Sequence, residues 1–252
     1  MELVIQLYTY HIKDNDTDDN KLGKMRRQFE INDCLIRNIT NSIFLNVHVL
    51  FENAGDLEYY NNLISHIPER VKLIPTIFGK QPLYSDIVRY INMNIKDGSS
   101  VCIMNSDIFM GSVAIEFINK ELTYNTFISL TRHEYTDDTH SVCNVNTCHL
   151  IYKYHGSHDA FIFKTPVPDN YNYSYVDIPQ NVGGSEAIFM KSWNLVGKQL
   201  KNLCFDIPIY HRHANHFYIS AYKTLATHEL CNVSPTVPEG RLDIQSQMIK
   251  MF

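Results

Sequence analysis

The first hundred residues alternate between short apolar runs and longer stretches whose apolar positions recur every three or four residues. Residues 3–10, Leu-Val-Ile-Gln-Leu-Tyr-Thr-Tyr, are dense in β formers and predict a first strand. Asn15 to Asn20 reads as a polar loop, and residues 24–39 carry Met25, Phe29, Ile36 and Ile39 at helical spacing. Residues 43–51 predict a second strand, 57–66 a short helix, and Val71 to Ile77 a third strand. Ser85 and Asp86 are fit to cap a helix over 86–96, whose apolar face holds Ile87, Val88, Ile91 and Ile95 and which ends at Asp97-Gly98. A fourth strand over 100–105 is apolar at every position from Val101 to Met104, the mark of a strand covered on both faces.

This β-α-β-α-β-α-β rhythm predicts an α/β fold with a mostly parallel, doubly wound sheet flanked by helices. Sheets of that kind take ligands beyond the carboxyl ends of their strands. Tyr8-Thr9-Tyr10, Phe78-Gly79-Lys80 and Asn105-Ser106-Asp107 all fall at such ends.

The second half is more broken. Residues 127–133 and 157–163 read as strands, separated by an acidic loop that starts at Glu134. Residues 166–177 look like a surface loop, Gly183-Gly184-Ser185-Glu186 leads into a helix over 186–198 with the sole Trp193, and residues 207–210 precede His211-Arg212-His213. Residues 241–252 could form an amphipathic helix for packing or self-association, which makes a homodimer conceivable. There is no internal repeat or low-complexity linker, so one domain over 1–252 is expected.

Composition narrows the partners. With 252 residues, 44% of them hydrophobic, the chain can bury a substantial core. A net charge of -5 gives no overall basic field for nucleic acid or an anionic membrane. No apolar run approaches the roughly 20 residues of a membrane span, and the N-terminus lacks the basic and small-residue signals of a secretion leader. A cytoplasmic protein is expected. Six cysteines in a chain of this length do not make a disulfide framework. Cys143 and Cys148, with His140 and His149 nearby, could bind zinc, though reduced loop cysteines are the better reading. No GxGxxG or Walker A sequence is present.

The chemistry concentrates at Asn105-Ser106-Asp107, an amide and a carboxylate at the tip of a buried strand. Burying them is costly without a partner. A divalent cation carrying phosphates suits them, because hard cations take oxygen ligands. The plain alternative is an Asn/Ser/Asp turn.

The same segment resembles the DxD motif of nucleotide-sugar transferases, with Asn105 in place of the first Asp. Other segments extend the likeness in order along residues 3–218: Arg27, Glu30, Cys34, Leu35 and Asn38; Gly79, Lys80, Leu83 and Tyr84; Leu130-Thr131-Arg132-His133; Ser157-His158-Asp159; Gly184-Ser185-Glu186; and His211-Arg212-His213. Together they resemble a small GT-A-type glycosyltransferase of the kind found in large DNA viruses and bacterial polysaccharide clusters. The resemblance implies a Rossmann-like sheet with a small antiparallel element in the C-terminal half. It further implies residues 1–110 as the nucleotide-binding half, 111–252 as the acceptor and catalytic half, and inverting transfer from a UDP-sugar to a glycan or glycoprotein. It implies Mn2+ (or Mg2+) held by Asp107 and by His211 or His213, with Asn105 on ribose or on the metal through water.

Two carboxylates compete for general base. Glu186 is favoured, kept ionised by its helix N-terminus, with Asp159 taking donor-sugar hydroxyls. Arg132 would pair with phosphate or with one of these carboxylates, and Lys80 would face the diphosphate or solvent. Tyr8 and Tyr10 would stack on uracil, one of the two turned to the core. Thr9, Ser106 and Tyr84 would line the nucleotide. Departures at Gln81, His133, Phe161 and Ala187 are expected to reshape the sugar or acceptor pocket, above all at 133 and 161. A nucleotidyltransferase shares such a sheet, but usually has a Gly-rich basic loop after its first strand, whereas residues 11–23 here are acidic with one Gly. A non-catalytic sugar-binding or scaffold protein is the third reading.

Overall fold

The computed structural model describes residues 1–68, 72–135 and 158–212. His213, the Cys143/Cys148 pair with its two histidines, and the amphipathic stretch 241–252 lie outside the described residues.

The predicted rhythm is present. Strand β1 (Glu2–Leu7) leads to α1 (Asp18–Thr40), β2 (Asn46–Phe51), α2 (Ala54–Ile64), β3 (Lys72–Ile77), α3 (Tyr84–Asn94) and β4 (Ser100–Met104). Next come β5 (Ile108–Met110), α4 (Ile115–Glu121), β6 (Thr126–Thr131), β7 (His133–Tyr135), β8 (His158–Lys164), α5 (Ser185–Leu195), β9 (Gln199–Lys201) and β10 (Ile209–Arg212). Seven strands form one sheet in the order β3-β2-β1-β4-β8-β6-β9, in which only β8 runs antiparallel to its neighbours. A second sheet, β5-β10-β7, has one antiparallel and one parallel pair and draws β5 from the first half of the chain.

Period-two alternation sorts the sheet's side chains onto two cores. Leu3, Ile5, Leu7, Val47, Val49, Cys102, Met104, Ile128 and Leu130 pack with α1, α2 and α4. Val4, Leu50, Val101, Ile103, Phe127, Phe161 and Phe163 pack with α3 and α5. The second core is aromatic: Trp193 is fully buried, its ring 4.9 Å from Phe127 and 4.4 Å from Phe163. Cys34, Cys102 and Cys204 are buried free thiols. Among the described residues no helix is long and apolar enough to cross a membrane.

Three expectations are corrected. Helix α1 starts at Asp18, inside the predicted polar loop, because the Thr17 side chain accepts the Asn20 N–H at 3.3 Å and Asp18 and Asp19 fill the first turn. Its buried face is Glu30, Ile31, Cys34, Leu35, Asn38 and Ile39, whereas Met25 and Phe29 are each 58% exposed. The long loop after β8 is anchored, with Val167, Tyr171 and Val176 buried in the aromatic core.

Candidate functional site

Strand β1 has β2 on one side and β4 on the other, so the carboxyl ends of β1 and β4 flank the point where strand order reverses. Tyr8 follows one and Asn105 the other. Because β8 runs antiparallel to β4 with Met104 opposite Ala160, the start of β8 returns to the same rim and sets Asp159 beside Asn105. Two bonds lock them: Asn105 N–H to the Asp159 carbonyl at 3.0 Å, and Asn105 Nδ2 to Asp159 Oδ1 at 2.8 Å. Arg132, just beyond β6, places Nη1 3.4 Å from the same Oδ1.

Asp107 sits in the turn between β4 and β5. The antiparallel register of β10 puts His211 opposite Ile108, and His211 Nε2 lies 3.0 Å from Asp107 Oδ2. From the other side Arg27 of α1 donates Nη2 to that same Oδ2, while its Nη1 donates to Glu30 at 2.7 Å. Asn38, three turns further along α1, donates to the Ile108 carbonyl at 2.8 Å and accepts the Met110 N–H at 3.1 Å, so its amide pairs with β5 as a strand would. Arg27, Glu30, Cys34, Leu35 and Asn38 thus form one stripe of α1 that holds the Asp107 turn and packs beneath it.

Close approach of β10 depends on Gly111. Its N–H donates to the Pro208 carbonyl at 2.8 Å, and a Cβ there would come within 2.7 Å of the Tyr210 ring and 3.2 Å of the Pro208 carbonyl oxygen. Gly111→Ala is therefore expected to push β10 from β5, costing about 1–3 kcal/mol by overpacking and loosening His211 from Asp107. Thermal melts together with the titration of His211 by NMR check this; an unchanged melting temperature and imidazole signal would refute it.

Glu186 opens α5. Gly184, at the N-cap, has φ +87, a left-handed conformation that strains any residue with a Cβ. That turn seats a half-buried Glu186 facing Asp159, Arg132 and Asp107. The expectation that a helix N-terminus keeps Glu186 ionised is not met. Burial first, then the Asp159 and Asp107 carboxylates, push its pKa up to about 8, against the opposing pull of Arg132. Asp107 behaves oppositely: Arg27 and His211 outweigh its burial and hold it well below the usual carboxylate range.

The remaining predicted residues are distributed unevenly. Tyr8 and Tyr10 are both half-buried and both pack against the core beneath α1, rather than one alone, with their rings edge-to-face at 5.4 Å and their hydroxyls 3.3 Å apart. Residues i and i+2 of an extended chain share a side, which is why. Burial and Tyr10 raise the Tyr8 phenol well above its ordinary range. Thr9 is tied through its N–H and hydroxyl to Asp56 Oδ1, at 2.9 and 2.5 Å, and so anchors the tyrosine pair to α2. Ser106 is half-buried in the turn. Tyr84 is fully buried, stacked at 4.2 Å on Phe189, with its hydroxyl end toward Glu186 and Asp159. Lys80 follows β3, at the sheet's edge, and pairs with Asp86 at 2.7 Å while 57% of its side chain stays exposed. Phe161 does not shape a pocket: it is core, wedged between Phe127 and Phe189. His133 bonds the Cys204 carbonyl at 2.9 Å.

Asn105 Oδ1 is buried with no hydrogen-bond partner among the described residues. Its amide orientation is fixed by Asp159, since turning the carbonyl toward that carboxylate would be repulsive. The orphan oxygen, the Asp107 carboxylate and the His211 imidazole form a donor set whose chemistry fits Mn2+ or Mg2+. Among the described residues no three His, Cys, Asp or Glu side chains gather as a ready-made metal cluster.

The Asp159 contact also explains why Asn stands at position 105. An Asp there would set two carboxylates at hydrogen-bond distance. Asn105→Asp is expected to cost about 1–3 kcal/mol near neutral pH. The new pair would hold a proton more tightly folded than unfolded, so the loss should shrink as pH falls toward 5 and below. Melting curves across pH test this; a deficit that does not change with pH would argue against charge repulsion.

No protein-family profile matches the sequence, and no curated protein does. Among solved structures, the inositol-1-phosphate CTP transferase from T. maritima superposes with a TM-score of 0.50 at 9% identity, covering 87% of this chain and 92% of that one. S. aureus TarS 1-349, in complex with UDP-GlcNAc, gives 0.47 at 12% identity over 88% of this chain and 62% of that one. HddC from Yersinia pseudotuberculosis, complexed with GMP-PN, gives 0.39 at 10% identity over 85% and 90%. At these identities likeness speaks for fold alone. The mixed α/β sheet flanked by helices is the architecture this chain shares with the CTP transferase.

Proposed function

We propose that this chain is a glycosyltransferase that moves a sugar from a nucleotide sugar, a UDP-sugar in the first instance, to a hydroxyl of a glycan or glycoprotein. The observation that supports it best is the convergence of Asp107, Asp159 and Glu186 with Arg27, Arg132 and His211 at the β1/β4 switch point. Carboxylates and guanidiniums packed together at a rim suit a reaction in which a diphosphate departs and a hydroxyl loses its proton.

In this reading Tyr8 and Tyr10 offer ring faces to the base, and Arg132 meets phosphate oxygens bidentately. Asp159, fixed by Asn105, accepts hydrogen bonds from donor-sugar hydroxyls. Glu186 takes the acceptor's proton as the acceptor oxygen bonds to the anomeric carbon. The bond from that carbon to the diphosphate breaks on the opposite side, and the diphosphate leaves with the electron pair. A group with a pKa near 8 is a competent base close to neutral pH. A divalent cation held by Asp107, His211 and the Asn105 carbonyl would neutralise charge developing on the departing diphosphate.

The test is a melting-temperature panel of UDP, GDP, TDP and CMP sugars and of nucleoside triphosphates, with and without Mn2+, followed by assay of sugar release. A ligand that binds only the folded state raises the melting point with saturation. A Mn2+-dependent rise with UDP-sugars and slow release of free sugar are expected. A rise with nucleoside triphosphates alone would favour a nucleotidyltransferase, the reading supported by the fold shared with the CTP transferase. No rise with any nucleotide would leave a sugar-binding or scaffold protein.

A further inference from the structure

Arg27 has no part in the residue roles above beyond its place in the cluster, yet it is the residue there that bridges two carboxylates. Its guanidinium spans two carboxylates, Glu30 through Nη1 at 2.7 Å and Asp107 through Nη2. The Asp107 oxygen it meets is Oδ2, the same atom that His211 reaches. Glu30 and Asp107 side chains are only 3% and 13% exposed, so this pairing is largely withdrawn from water. Bare carboxylates are expensive there. Arg27 is thus the resident counter-cation of Asp107.

A divalent cation approaching the Asp107–His211 pair meets that fixed positive charge. Two cations cannot share one carboxylate oxygen without strong repulsion at a few ångströms in a partly dry site. The guanidinium must move off Oδ2 before the cation settles. Glu30 keeps hold of Nη1, so the group can pivot rather than leave. The anion that then needs a planar, two-pronged donor is the diphosphate arriving with the cation.

We propose that Arg27 and a divalent cation exchange on Asp107: the guanidinium holds the carboxylate in the ligand-free protein and, once displaced, turns to the nucleotide's diphosphate. This rests on the glycosyltransferase reading. Its consequence is coupling: cation and nucleotide each bind weakly alone and strengthen each other by the same factor.

The test is Mn2+ binding to the full chain, read by electron paramagnetic resonance, with and without UDP. Wild-type protein is expected to bind Mn2+ at least about tenfold more tightly when UDP is present. Arg27→Gln removes the competing charge. It is expected to bind Mn2+ about tenfold more tightly than wild type without UDP, and to lose most of the gain from UDP. Arg27→Lys, which keeps a charge but not the fork, should fall between the two and serves if the glutamine variant does not fold. Unchanged or weaker Mn2+ binding in either folded variant, with the UDP gain intact, overturns the exchange. Wild-type protein that binds Mn2+ and UDP independently also overturns it while leaving the transfer reading standing. Wild-type protein that binds neither overturns both.

Discussion

Alanine at position 107 is expected to lower sugar transfer by more than about 100-fold and, separately, to destabilise the fold. The carboxylate has two duties. It is the acceptor for His211 and the charge partner of Arg27. Without it the guanidinium stays largely buried with Glu30 alone, and breaking one side of such a pair costs about 3 kcal/mol, the low end of the range because both groups keep some solvent contact. For a chain of this size that is a fall of about 6–12 °C in melting temperature. Removing Arg27 as well, in Asp107→Ala with Arg27→Met, should restore none of the activity and little of the stability, since the buried Glu30 then loses the guanidinium that pairs with it. The pH dependence has a definite sign. The folded pKa of Asp107 is depressed, so its contribution is complete above the ordinary carboxylate range near 4 and fades as pH falls through the folded value. The gap between wild type and Asp107→Ala should therefore be steady at neutral pH and close in acid. Transfer assays with paired melts measure both; transfer within a few-fold of wild type in a folded variant would remove Asp107 from the site.

Why the strands were legible and the helix face was not has one cause. A strand covered on both sides is dominated by apolar residues, and β4 shows that at every position from Val101 to Met104, while β1 and β2 are interrupted within their buried runs only by Gln6 and His48. Helix α1 buries Glu30 and Asn38 instead, because their partners Arg27 and the β5 backbone come to meet them. Read for apolar spacing alone, the sequence selects Met25 and Phe29, which are exposed. The helix start was available in Thr17-Asp18-Asp19, a capping residue followed by acid in the first turn, and was hidden by polar character that also suits a loop.

The site shows the same division. Local pattern places Asn105, Asp107 and Glu186 at element ends, and antiparallel return of β8 and β10 then delivers Asp159 and His211. Nothing local says that Arg27, eighty residues before Asp107, is its counter-charge. The only signal was its spacing from Glu30, Cys34, Leu35 and Asn38, which marks a shared helix face without naming what that face touches. The Glu186 case is subtler. A helix N-terminus favours a carboxylate by a few tenths to about 1 kcal/mol when exposed, and here burial and two neighbouring carboxylates outweigh it. Phe161 fails as a pocket residue for a topological reason: its register opposite Ile103, in the interior of a sheet covered by α5, points it into the aromatic core.

Glu186→Gln is the second large effect, and it should separate activity from stability. As general base, Glu186 must be ionised, so wild-type kcat/KM is expected to climb about tenfold per pH unit and level off above about 8. Glutamine should cut kcat by about 100- to 10,000-fold and erase that limb. Stability should move the other way. The folded state holds the Glu186 proton more tightly than the unfolded chain, so wild type is at full strength below about pH 4.5 and loses stability as pH rises to about 8. Glutamine, which keeps the neutral shape, escapes that loss. The variant should melt with wild type near pH 4 and a few degrees above it at pH 8–9, a gain in stability at the site of chemistry. If the limb persisted in Glu186→Gln, the proton would have another destination, and Asp159 would be the carboxylate to test next. If instead the limb vanished while the melting curves stayed together at every pH, Glu186 would be the base but not a group whose proton the folded state holds more tightly than the unfolded chain.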